Sequence, residues 1–204
     1  MADLRQHRGW HNRGKLPHFD ESDTVQSISF RLADSVPAYV IDSWKEELDW
    51  EKDLPATHPA EIALRERILK YEDLGRGNCW LRQAPVAELV QNALLNFHDE
   101  RYELFAWCIM PNHVHVLIQE WEGYLLEDVM HSWKSFTASA ANKLLKRRGT
   151  FWMADYFDRY IRDSRHFQHT VTYIEGNPAE ARLVDDAEDW PWSSANPRWA
   201  EREF

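Results

Sequence analysis

Apolar positions recur with two different periods along the chain, and the period sets the element at each stretch. Over Val25–Leu32 (VQSISFRL), Ile28, Phe30 and Leu32 stand two apart, the spacing of a strand with one half-buried face. Ser35 as a cap and Pro37 in the first turn open a helical pattern that runs to about Glu51. A second, charged helix is expected over Pro59–Asp73, ending before Gly75 and Gly77, and a third over Val86–His98. Tyr102–Met110 (YELFAWCIM) and His113–Glu120 (HVHVLIQE) read as two strands of a hairpin, joined at the Pro111-Asn112 turn. Leu125–Arg148 predicts a long helix stopped by Gly149, and Tyr156–Arg162 a further strand. Arg165–Glu175 predicts a short helix that ends near Asn177-Pro178, because the residue before a proline is pushed out of the α region.

The first two dozen residues are polar and rich in Gly, His and Arg, which predicts an irregular arm. With the two helices of residues 34–76 set aside as an acidic insertion, the order is strand, helix, strand, strand, helix, strand, helix. The first six make an α+β class, ferredoxin-like (RRM-like) antiparallel sheet with helices on one face. A chain of 204 residues then reads as one domain: a basic arm at 1–23, the helical insertion at 34–76, and a last helix at 165–178.

Composition narrows the class. Hydrophobic residues make up 44% and charged residues 28%, a globular balance. No apolar run approaches the roughly 20 residues of a membrane span. No basic-then-apolar leader opens the chain, and the only two cysteines, Cys79 and Cys108, are expected as reduced thiols, which together predict a cytoplasmic protein. The net charge of −10 argues against indiscriminate nucleic-acid binding, but its layout is uneven. The arm carries Arg13 and Lys15 without acids between Leu4 and His18, and residues 131–167 are basic, with Lys134, Arg159 and Arg162 among them. The acids gather at 42–73 and 175–203. The expectation is a basic border around the site, with the acids of 42–73 on a remote face.

The sharpest local feature is His113-Val114-His115 inside an apolar strand. Residues i and i+2 point to the same side, so both imidazoles leave the core that Val114 and Val116 enter. Such a pair is half of a divalent metal site, or else two partly exposed polar strand residues. Tyr173 and Asn177 stand four apart on the last predicted helix and share a face. The Asn177 amide oxygen could add a third ligand and bring the Tyr173 phenol beside the ion. The plainer alternatives are a core aromatic and a helix C-cap.

These residues also carry a resemblance. Phe105–Gln119 (FAWCIMPNHVHVLIQ) resembles the histidine–bulky residue–histidine (HUH) segment of single-tyrosine transposases. Asp155–Asp163, Tyr173-Ile174, Asn177-Pro178 and Trp190–Ser194 then follow in the order of one branch, the REP-associated tyrosine transposases. Leu16–Asp20, Phe30–Ser35 and Gly77–Leu81 are similar too, so the resemblance spans nearly the whole chain. It implies that His113, His115 and Asn177 hold a divalent ion such as Mg2+ or Mn2+, and that Tyr173 is the nucleophile. The implied substrate is single-stranded or hairpin-forming palindromic DNA, cut to leave a 5′-phosphotyrosine and a free 3′-OH; from the charge layout, Arg13, Lys15, Lys134, Arg159 and Arg162 are expected on its phosphates. The expected setting is a bacterial cytoplasm, at the nucleoid, as a monomer or homodimer. Two other functions fit the residues less fully: a ferredoxin-like module that holds hairpin DNA or RNA without cutting it, and a metal hydrolase with water as nucleophile. Trp190 and Trp192 are expected as packing residues.

Overall fold

The computed structural model describes residues 24–200, apart from 53 and 56, together with the backbone of 9–13 and 16–20. The latter two segments, β1 (Gly9–Arg13) and β2 (Leu16–Asp20), pair antiparallel, so this part of the expected irregular arm is a hairpin. The main sheet has four strands, β3 (Val25–Arg31), β4 (Tyr102–Ile109), β5 (His113–Glu120) and β6 (Phe157–Tyr160), in the order β4-β5-β3-β6. Every neighbouring pair is antiparallel. Five helices accompany it: α1 (Ala38–Glu47), α2 (Pro59–Asp73), α3 (Ala84–Leu95), α4 (Leu126–Leu144) and α5 (Ser164–Glu180). Among the described residues no helix is long and apolar enough to cross a membrane.

Helices cover both faces of the sheet, not one. On the first face α3 and α4 bury Ile28, Phe30, Leu104, Trp107, Val114, Val116 and Ile118. On the second, α5 lies over Ala106, Cys108, Met110 and Leu117 through Ile174. At the other side of that face α2 packs Leu64 and Ile68 against Val36 and Phe157. The reason lies in β4 and β5, whose residues are apolar on both sides, so leaving either face to water would expose a strip of core. A shift in register between Leu104 and Ala106 lets Trp107 and Ile109 return to the first face while Ala106 and Cys108 take the second.

Two helix ends differ from expectation. The Ser35 hydroxyl donates back to the Leu32 carbonyl at 2.9 Å, so it does not cap α1, which starts after Pro37. Helix α5 runs through Pro178 to Glu180. A proline removes only the donor aimed at residue 174, and one turn from the end the helix closes through Ala181 N–H to Asn177 O and Leu183 N–H to Pro178 O. Asn177 is therefore a buried helical residue and not a cap. Beyond α5 the chain lies along the open edge of β4: Ile109 N–H donates to Trp192 O, Ser194 N–H to Trp107 O, and the Trp190 indole to Ile109 O. Trp190 and Trp192 thus pack, as expected.

Candidate active site

His113 and His115 occupy the second face of β5, in the seam between α5 and α2, because Val114 and Val116 are taken by the first-face core. Their rings are nearly perpendicular, at 86°, with centroids 4.7 Å apart, and both are buried. The Asn112 side chain sets the tautomer of His113. Its amide nitrogen donates to the carbonyls of Glu72 at 3.1 Å and Arg76 at 3.0 Å, which orients the amide oxygen toward the ring. That oxygen accepts from His113 Nδ1 at 2.7 Å, so Nδ1 carries the hydrogen and Nε2 presents a lone pair.

Among the described residues neither His113 Nε2 nor His115 Nε2 has a hydrogen-bond partner. Burial, then the neighbouring His115 and Arg31, holds His113 well below the usual imidazole range. Burial alone lowers His115 to about 4. Two neutral, buried, unpartnered ring nitrogens side by side fit a divalent cation better than they fit water or packing. Among the described residues, no three His, Cys, Asp or Glu side chains close on one point, so any cage needs an amide or a moved side chain.

Helix α5 places Tyr173 half-buried, its ring 5.5 Å from that of His115 at 74°. The Asn177 side chain lies one turn on, its amide nitrogen donating to Tyr173 O at 2.7 Å. Burial pushes the phenol up to about 12, and the carboxylates of Asp73, Glu180 and Glu72 add to the rise against an opposing hydrogen bond from Asn177. Of the sequence-expected set, then, His113, His115, Tyr173 and Asn177 lie together.

The basic residues are distributed differently. Lys134 donates to Ala154 O at 2.6 Å and lines a cleft of about 660 Å3 between α4 and the 149–156 segment, a cleft whose lining does not include the histidines. Burial lowers its pKa to about 8. Arg159 and Arg162 gather with His166 where β6 meets α5; burial and then these two cations lower His166. Arg159 faces the same side of the sheet as His115, since Ser27 pairs with both Arg159 and Leu117, two residues on from His115. Lys15 and the side chain of Arg13 lie outside the described residues.

The acids of 42–73 are not all remote. The end of α2 reaches the histidines, with Asp73 Oδ1 3.7 Å from His113 Nε2. Burial and then Glu180 raise the Asp73 carboxyl to about 6. Glu72, buried, sits 3.4 Å from the Arg31 guanidinium. Burial raises it to about 8 against the pull of Arg31. The charge run marked the helix as acidic, but only the packing of Leu64 and Ile68 determines which end meets the site. Glu180 had a signal, three positions after Asn177 on one helix face. Asn112 was legible only as a turn residue, and Arg31 as the exposed side of a strand.

Residues 81–177 match the family described as Transposase IS200 like. Two curated relatives are a REP-associated tyrosine transposase of Escherichia coli, 27% identical over 112 residues, and one so named of Haemophilus influenzae, 28% identical over 104. The matches cover 52% and 46% of this chain and 63% and 58% of those proteins, so the chain spans about three fifths of their lengths. A solved REP-associated tyrosine transposase, bound to a REP hairpin, superimposes with a TM-score of 0.58 at 15% identity. That likeness covers 93% of this chain and 87% of the other, and it concerns the fold.

Proposed function

We propose, from the premise that residues 81–177 belong to the IS200-like transposase family, that this protein cuts and rejoins single strands of hairpin-forming DNA with Tyr173 as nucleophile. The β-α-β-β-α-β order around a β4-β5-β3-β6 sheet is read as the ferredoxin-like arrangement. One observation carries the reading: two buried, unpartnered imidazole nitrogens lie beside a half-buried tyrosine ring. A hairpin-binding module needs neither.

A divalent ion held by His113, His115 and the Asn177 amide oxygen would neutralise charge on a non-bridging phosphate oxygen. Asn112 holds His113 in the tautomer that leaves Nε2 free for such an ion. Asn177 and Tyr173 ride the same face of α5, so whatever fixes one fixes the other. The Tyr173 oxygen forms a bond to phosphorus as the bond from phosphorus to the 3′ oxygen breaks. The phenol proton is released and the leaving 3′ oxygen takes one up. One phosphodiester replaces another, so the step needs no nucleotide cofactor, and the retained bond allows later rejoining. Arg159 and Arg162 would track the phosphates of the incoming strand. A REP-type hairpin, as in the solved relative, is the proposed substrate class.

The test is a denaturing gel with a labelled hairpin oligonucleotide and Mg2+ or Mn2+. Wild type and Tyr160→Phe should both give a covalent protein–DNA adduct, and Tyr173→Phe should give none while binding the hairpin normally. An adduct from Tyr173→Phe at the wild-type rate, or its loss in a folded, DNA-binding Tyr160→Phe, would move the nucleophile elsewhere. Cleavage without any adduct would indicate water as the nucleophile.

A further inference from the structure

The helical insertion brings a carboxylate to the histidine pair that the strand and α5 do not supply. Asp73 Oδ1 lies 3.7 Å from His113 Nε2. His113 is fully buried and its Nδ1 hydrogen is spent on Asn112, so Nε2 has no hydrogen to give. Among the described residues Nε2 has no hydrogen-bond partner, nor has Nε2 of the buried His115 beside it. A lone pair and a carboxylate oxygen therefore face each other across 3.7 Å. Two electron-rich atoms held so repel unless a cation, either a proton or a metal ion, lies between them.

The spacing suits a shared ion. Ligand distances of about 2.1 Å separate neighbouring ligands by about 3.0 Å in an octahedron and about 3.4 Å in a tetrahedron. The observed gap of 3.7 Å exceeds these by about 0.7 and about 0.3 Å. The Asp73 side chain is 40% exposed at the end of α2, free to close that gap by rotation. Carboxylate oxygen also suits Mg2+ and Mn2+ better than a third nitrogen would.

We propose that Asp73 is a ligand of the ion held by His113 and His115, so that α2 of the insertion, along with β5 and α5, completes the metal centre. The inference rests on the reading of the histidines as ion ligands. It gives the insertion a function: seating Leu64 and Ile68 on the sheet positions Asp73, and binding of the ion in turn ties α2 to β5.

The test is Mn2+ titration of the full chain, stripped of metal with chelator, followed by calorimetry and by the Mn2+ paramagnetic resonance signal. Asp73→Ala should weaken Mn2+ about 10- to 100-fold, the range seen when groups supporting a metal centre are lost. Glu180→Ala removes a neighbouring negative charge without removing a ligand, and should weaken it only about 2- to 3-fold, an effect that fades with added salt. Asp73→Glu, which keeps the carboxylate, should recover part of the affinity. Equal Mn2+ affinity of wild type and Asp73→Ala, with His113→Ala unable to bind, would overturn the Asp73 assignment and leave the histidine site standing. Equal losses in Asp73→Ala and Glu180→Ala would overturn it too, showing a field effect. Failure of wild type to bind Mn2+, or unchanged binding by His113→Ala, would overturn both readings. Asp73 is exposed enough for its variants to fold, which melting in chelator checks.

Discussion

Glu72 makes the stability of the ion-free protein fall as the solution becomes more basic, against the usual trend for carboxylates. The group is fully buried, with Arg31 3.4 Å from its carboxylate, and burial raises it from 4.5 to about 8. A carboxyl whose folded pKa is raised binds its proton more tightly in the native state. Its contribution is present below the unfolded pKa and is lost as pH rises toward the folded one. The other shifted groups of the site act elsewhere. Asp73 is half titrated near 6 and has lost most of its effect by about pH 7, and His115, lowered to about 4, gains stability only up to the ordinary imidazole value of 6.5. Between about pH 6.5 and 8 Glu72 is left as the main contributor, opposed in part by Lys134, whose amine, lowered to about 8, starts to lose its proton in the native state first and so adds stability as pH rises. At about 1.4 kcal/mol per proton per pH unit, and with the native chain holding most of one extra proton there, the loss from Glu72 is about 1–2 kcal/mol. Urea unfolding in chelator at the two pH values measures it. Glu72→Gln mimics the neutral acid and should abolish the slope while keeping the fold. A wild-type stability that is flat or rising over this interval, or a Glu72→Gln slope equal to wild type, would refute the reasoning.

Three further outcomes are expected. His113→Ala should abolish hairpin cleavage with little change in hairpin affinity by gel shift, because the residues proposed to bind phosphate, Arg159 and Arg162, lie elsewhere. Asn112→Ala removes one accepted and two donated hydrogen bonds, and should cost about 1–3 kcal/mol in denaturant unfolding. It should also weaken Mn2+ about 10-fold or more in calorimetric titration, since the His113 tautomer is then free to change. Replacing Arg159 and Arg162 together by Ala should lower DNA affinity and flatten its log–log salt dependence by about 1.4, at about 0.7 for each single-strand phosphate that is no longer neutralised. An unchanged salt slope would take these two residues off the DNA path.

The elements and the histidine pair were legible in the sequence because they rest on short-range periodicity. Alternation in HVHVLIQE puts His113 and His115 on one side whatever the rest of the chain does. The i, i+4 spacing of Tyr173 and Asn177 does the same for α5, although the proline made the helix look shorter than it is. The two-sided apolar character of β4 and β5 was also present in the sequence, and could have indicated helices on both faces.

What the tertiary structure alone decided is who joins that pair. Arg31 and His113 are 82 positions apart and become partners through the β3–β5 register. Asp73 arrives at the site 40 positions before His113, through the seating of α2 on Phe157. A run of acids along a chain fixes its total charge; the direction in which a packed helix points fixes where that charge acts. Periodicity is a local property of the backbone and can be read one element at a time. The environment of a buried imidazole is a sum over several elements, and its terms exist only once those elements are packed.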